Sequence, residues 1–154
     1  MTVDISGQRP ETIDIAALQE FVVATLNREG VAPNAELSIS FVDNDAIASL
    51  NEEHLGKVGP TDVLSFPIED AAPGMPPRSD EGGPPIALGD IFISSDVVSD
   101  HATEYEVSFE DELHLMVCHG VLHILGWDHG TDEDAEKMEA REAHHLATIG
   151  KERR

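Results

Sequence analysis

His119, His123 and His129 fall within the stretch HGVLHILGWDH, residues 119–129, and an imidazole can act as base, hydrogen-bonding group or metal ligand. A spacing of four puts the first two on one face of a helix, roughly 5–6 Å apart at Cβ. The neighbours Leu113, Leu115, Met116, Val117, Val121, Leu122, Ile124 and Leu125 cover most of that helix's circumference, so its second half is expected in the interior. Burying a polar group without a partner costs about 1–3 kcal/mol, and two adjacent imidazolium ions would also repel. A cation bound by the neutral nitrogens removes both problems. Gly126 allows a sharp turn that brings His129 back as a third ligand. Three protein nitrogens leave one tetrahedral corner for water, the pattern of a catalytic zinc site. Three imidazoles also suit nickel, copper or iron.

The spacing of His119, His123, Gly126 and His129 equals that of the metalloprotease pattern H-E-x-x-H-x-x-G-x-x-H, with one departure. Gly120 stands where the protease keeps its glutamate base, which leaves a metal cradle with room beside the ion and no base. The sequence names no general base. Asp128 has two readings: a carboxylate serving a ligand histidine or the coordinated water, or a residue that stabilises the turn. His114, roughly 140° around the helix from His119, is expected to face solvent or stand behind the ligands. His144 and His145 read as surface or packing residues, and His54 and His101 show no partner. Cys118 reads as a small core residue.

These residues must be positioned by a mixture of strands and helices. Residues 3–6, 36–42, 61–68 and 88–94 have strand character, and Pro67 marks the end or the edge of the third. Asp14 and Asp43 are candidate N-caps for helices ending near Gly30 and His54, and residues 95–105 form another helix. Ser108 with Asp111, and Thr131 with Asp134, fit capping boxes that open a helix at Phe109 and a final one. The expected fold is α+β: one domain over 1–154, with a four-stranded sheet, about five helices, and the metal site on a long buried helix and the turn after it. Residues 69–86, rich in proline, glycine and charge, read as a flexible loop that closes over the cleft.

At 154 residues the chain suits one domain with a real core. Its net charge of −22 and scattered basic residues give no broad attraction for phosphate backbones or anionic lipid. The one basic cluster, KERR at 151–154, lies where chains are commonly disordered. No run approaches the roughly 20 apolar residues that cross a bilayer, and the opening residues do not read as a signal peptide. The single Cys118 rules out an internal disulfide and suits a reducing cytoplasm.

HGVLHILGWDH, preceded by TDVLSFP (61–67) and LGDI (88–91), resembles the YbeY family of bacterial rRNA-maturation endoribonucleases, whose motif runs close to H-G-x-L-H-L-x-G-Y-D-H. The likeness extends from about Leu50 to the final helix. It implies His119, His123 and His129 as ligands of one Zn2+ ion, a mixed four-stranded sheet, and a single-strand-preferring endoribonuclease. That enzyme would act in the cytoplasm on the 3′ end of 16S ribosomal RNA and in ribosome quality control. With a charge of −22, recruitment through a small-subunit ribosomal protein or an assembly GTPase is expected.

The family pattern near L-N-x-x-Y-R is LNEEHL here, so His54 and Leu55 replace tyrosine and arginine. Leucine cannot neutralise a phosphate; either Lys57 or Arg78 supplies the cation, or this branch is slow or needs a partner. Two other readings compete: a metallopeptidase-like hydrolase that takes its base from Asp128 or elsewhere, and a ribosome-assembly factor whose metal is structural.

Overall fold

In a computed structural model of the chain, which describes residues 1–8, 10–78 and 82–154, every helix begins at a side chain that caps it. Helix α1 (Ile15–Arg28) follows Asp14, whose carboxylate accepts the Ala17 N–H at 3.0 Å. Asp43 does the same for α2 (Asn44–Leu55) and Ser94 for α3 (Ser95–Glu104). Ser108 opens α4 (Phe109–Ile124), and Thr131 opens α5 (Asp132–Ala147). Each cap satisfies a backbone N–H that the first turn leaves without a partner.

The strands are β1 (Thr2–Gly7), β2 (Ala35–Phe41), β3 (Val63–Pro67) and β4 (Ile86–Ile93). They form one sheet in the order β1-β2-β4-β3. The first three in that order run parallel, and β3 pairs antiparallel with β4 at the edge. Pro67 ends β3 there, where its missing N–H breaks no inner ladder. In β2, Leu37, Ile39 and Phe41 are buried while Glu36 is exposed, the period of two that seats one face of a sheet on a core.

That core is built around α4, which packs against β3, β4 and helices α1, α3 and α5. Val117, Val121 and Leu122 are fully buried in it against Leu18 and Val22 of α1 and Ile91 and Ile93 of β4. Each such side chain contributes roughly 1.5–3 kcal/mol through lost contact with water. A helix buried on nearly all sides fixes what it carries, which makes it a firm platform for His119 and His123.

Two expectations need correction. His114 is buried, packing edge-on to Phe21 with its Nδ1 2.9 Å from the Glu110 carbonyl; α1 covers the helix face expected to meet water. KERR is tied down: Lys151 pairs with Asp111, Arg153 with Glu142, and Arg154 with Glu112 while lying over the Tyr105 ring. Glu112 and Glu142 are buried carboxylates, and charge in the interior needs such partners. Within the described part of the 69–86 segment there are local hydrogen bonds. Ala72 and Met75 exchange backbone hydrogen bonds of 3.2 and 2.8 Å, and Asn34 donates to the Pro84 carbonyl. Residues 79–81 of that loop, like Arg9, lie outside the described residues.

Candidate metal centre

The three histidines arrive from one helix and the bend that ends it. Helix α4 closes with Gly126 N–H on the His123 carbonyl and Trp127 N–H on the Leu122 carbonyl. Gly126 takes φ +93°, and a Cβ there would stand 2.2 Å from the Ala71 carbonyl oxygen. No other residue fits that conformation and that contact together. The reversal returns His129 toward the helix, its ring 5.3 Å from that of His119 and 4.9 Å from that of His123. One nitrogen from each of the three rings lies within 4.8 Å of the others, a set that could hold a metal ion.

Hydrogen bonding sets the tautomers. His123 Nδ1 sits 2.9 Å from the Trp127 carbonyl oxygen, which can only accept, so Nδ1 carries the proton. His119 Nδ1 sits 3.2 Å from Glu142 Oε2, and donates likewise. Both Nε2 atoms are then bare, yet they face each other at 3.0 Å. Two lone pairs cannot satisfy one another; a cation between the rings can. Burial, the neighbouring His119 and to a lesser degree His129 push His123 down to about 4, against a weaker raising effect of its bond to Trp127. At neutral pH it is the uncharged ligand form.

A cleft of about 590 Å³ opens onto these rings, bordered by α2's end and by β3. Leu55, 52% exposed, and Lys57 both line it. Lys57 is the one Lys or Arg among the described residues of its lining, and Arg78 is not part of it. Asp62 also lines the cleft, and its carboxylate accepts from His101 Nδ1 at 3.1 Å, a partner the sequence did not disclose. His54 stacks obliquely on Phe66. Gly120 does not border the open space that its missing side chain suggested. A Cβ there would come within 3.2 Å of Ser65 Oγ and Val63 Cγ2, so its missing side chain lets β3 close on α4, and Ser65 donates to its carbonyl.

The carboxylate that reaches one of the three rings is Glu142, at His119, rather than Asp128. Asp128 Oδ1 accepts the His129 backbone N–H at 2.8 Å and braces the turn. Glu142, from α5, is 1% exposed and is itself held by Arg153 Nε at 3.2 Å. Its signal in the sequence is position: Met138, Glu142 and Leu146 recur every four residues, placing a carboxylate on the buried stripe. Trp127, inside the motif, has a partner that the sequence did not disclose. Its indole N–H donates to Glu29 Oε1 at 3.1 Å, pinning the residue whose carbonyl orients His123. Cys118 is fully buried in the core, where burial pushes its thiol well above the usual range.

Comparison with known proteins agrees with this arrangement. Residues 5–150 match the family model described as Endoribonuclease YbeY. The chain is 39% identical to the Endoribonuclease YbeY of Lysinibacillus sphaericus, over 97% of this chain and 96% of that one. It is 38% identical to that of Bacillus subtilis, over 98% and 95% of the two chains. The solution structure of a Thermotoga maritima protein superposes with a TM-score of 0.60 at 26% identity, covering 96% of this chain and 91% of that one. A sheet of the expected composition, a histidine cradle on a buried helix and full-length relatives point the same way: the chain belongs to the endoribonuclease YbeY family.

Proposed function

We propose that His119, His123 and His129 hold one Zn2+ ion and that this chain hydrolyses phosphodiester bonds of single-stranded RNA, in maturation of the 3′ end of 16S ribosomal RNA and in ribosome quality control. The observation that carries the metal reading is the pair of bare Nε2 atoms facing each other at 3.0 Å. The exposed His129 and the open cleft would leave an ion held by the three rings reachable from solvent, which supports a catalytic ion over a structural one. When bound, the ion supplies Lewis acidity toward a phosphoryl oxygen and acidifies the attacking water.

The chain's own residues do the rest. Glu142 and the Trp127 carbonyl hold two rings in the tautomer that presents Nε2. Lys57 brings the cleft a positive charge to draw a phosphate where Leu55 offers none. Position 120 is a glycine packed tightly against β3 and carries no protease-type glutamate, which weighs against a peptidase. No helix among the described residues is long and apolar enough to cross a membrane. With a charge of −22, affinity for naked RNA is weak and delivery rests on a small-subunit ribosomal protein or an assembly GTPase in the cytoplasm.

Elemental analysis of the purified protein, coupled to cleavage of unstructured ribosomal RNA with and without metal, tests this. One zinc per chain and metal-dependent cleavage are expected, both lost in His123→Ala. Equal cleavage by the variant would assign the activity to a contaminant.

A further inference from the structure

A second cavity of about 590 Å³ lies on the other side of the metal turn. It shares Gly126, Trp127 and Asp128 with the cleft that opens onto the histidines, so the two meet across three residues. Its far wall is α5, where Lys137, Arg141 and His144 recur at spacings of four and three and so share one helix face. In a chain with nine Lys and Arg against thirty-one Asp and Glu, two of the nine and a histidine border a single cavity. The metal-cleft reading did not use any of them.

Each group there suits part of a nucleotide. Trp127 borders the cavity with its indole nitrogen fixed by Glu29, so ordering the ring costs little when a base stacks on it. Lys137 is 64% exposed and paired with Glu133, itself 78% exposed; an exposed pair of that kind is weak, so its ammonium can turn to a phosphate. Arg141 adds charge but spends Nε and Nη2 on Glu29. Asp128 and Asp134 also line the cavity. They disfavour a bare anion and offer acceptors to ribose hydroxyls and base N–H groups.

We propose that this cavity is a nucleotide subsite, taking a base and phosphate of the same RNA strand next to the nucleotide at the metal. The inference rests on the endoribonuclease reading, because only a strand engaged in the histidine cleft continues across residues 126–128. It gives a strongly acidic protein a local grip on RNA that its net charge denies it.

Trp127 is the single tryptophan and borders both cavities, so its fluorescence reports nucleotide binding without any cleavage. Substitutions on α5, which of the two lines only the second cavity, separate the two sites. Zinc-loaded protein is titrated with adenosine 5′-monophosphate and with a single-stranded RNA hexanucleotide. Both are expected to quench, the hexanucleotide at lower concentration because it also reaches the metal cleft. Lys137→Ala combined with His144→Ala, both on the exposed face of α5, should weaken binding of both ligands by roughly tenfold, with zinc content and circular dichroism unchanged. Quenching that is absent, or equal in the variant, overturns the subsite. Mononucleotide quenching that the hexanucleotide fails to compete away overturns the strand assignment. Quenching lost in the variant, from a zinc-loaded protein that cuts no RNA, keeps a nucleotide subsite and refutes the endoribonuclease reading instead.

Discussion

Two histidine clusters lie on either side of α5, and the difference between them separates a ligand from a structural residue. His145 has both ring nitrogens occupied: Arg28 Nε donates to Nδ1 at 3.1 Å, and Nε2 donates to Glu29 Oε2 at 3.1 Å. Glu29 is completed by Arg141 and the Trp127 indole. Both nitrogens of His145 are thus answered from within the protein, although Arg28 Nη2 is buried without a partner among the described residues. His119 and His123 are each satisfied at Nδ1 only, and their Nε2 atoms are aimed at one another. Burial alone does not identify a metal ligand, because His145 is the more buried ring. An unanswered lone pair does.

The closed cluster should therefore fail as structure. Glu29→Ala strips a buried carboxylate from Arg141, His145 and Trp127, and breaking such a pair costs about 3–5 kcal/mol. Chemical denaturation should show that loss, while the variant that remains folded still binds one zinc. If stability is unchanged and zinc is lost, Glu29 belongs to the open cluster and the contrast collapses.

Acid sharpens the same point. Burial would raise Glu29, but hydrogen bonds from His145 and Arg141, together with the Arg141 charge, outweigh it and hold the carboxyl at about 2 rather than 4.5. A group depressed on folding adds stability that is complete above its unfolded pKa and disappears as pH falls through the folded one. Glu29 should contribute on the order of 3 kcal/mol above about pH 4.5, lost progressively toward pH 2. Comparing the acid unfolding of wild type and Glu29→Gln measures it; parallel curves would remove the effect.

The sequence disclosed the open cluster better than the closed one, for a physical reason. The convergence of His119, His123 and His129 is local, set by helical spacing and one glycine bend, and local geometry is written in spacing. The caps at Asp14, Asp43, Ser108 and Thr131 were legible on the same ground, as was the edge position of β3 at Pro67. Partners far apart in the chain were not. Glu142 is 23 residues from His119, Arg28 is 117 from His145, and Trp127 is 98 from Glu29. Asp128, adjacent to His129, could be read as a carboxylate serving a histidine or the coordinated water, or as a brace of the turn; its short side chain is spent on the turn.

In the open cluster the loss should appear as affinity. Glu142→Gln keeps the shape but removes the charge that fixes the His119 tautomer, and losing such a partner typically weakens metal binding 10–100-fold. Competition with a chelating dye should show about that change with little loss of stability. A variant with wild-type affinity would leave Glu142 as packing.

The smallest effect reaches the centre through three groups. Arg153 stands behind Glu142, which stands behind His119, and each link passes on only part of a change in charge. Its Nη2 also lies 3.6 Å from Glu139, so some of its charge is already committed at the surface. Arg153→Ala should weaken zinc binding by roughly three- to tenfold, below the direct loss of Glu142. Arg153→Lys should recover part of it, since an ammonium restores the charge but not the planar geometry. In Glu142→Gln the same Arg153→Ala change should have almost no effect on affinity, because its route to His119 has been removed. Additive losses in that double variant would mean that Arg153 acts on the site by another path.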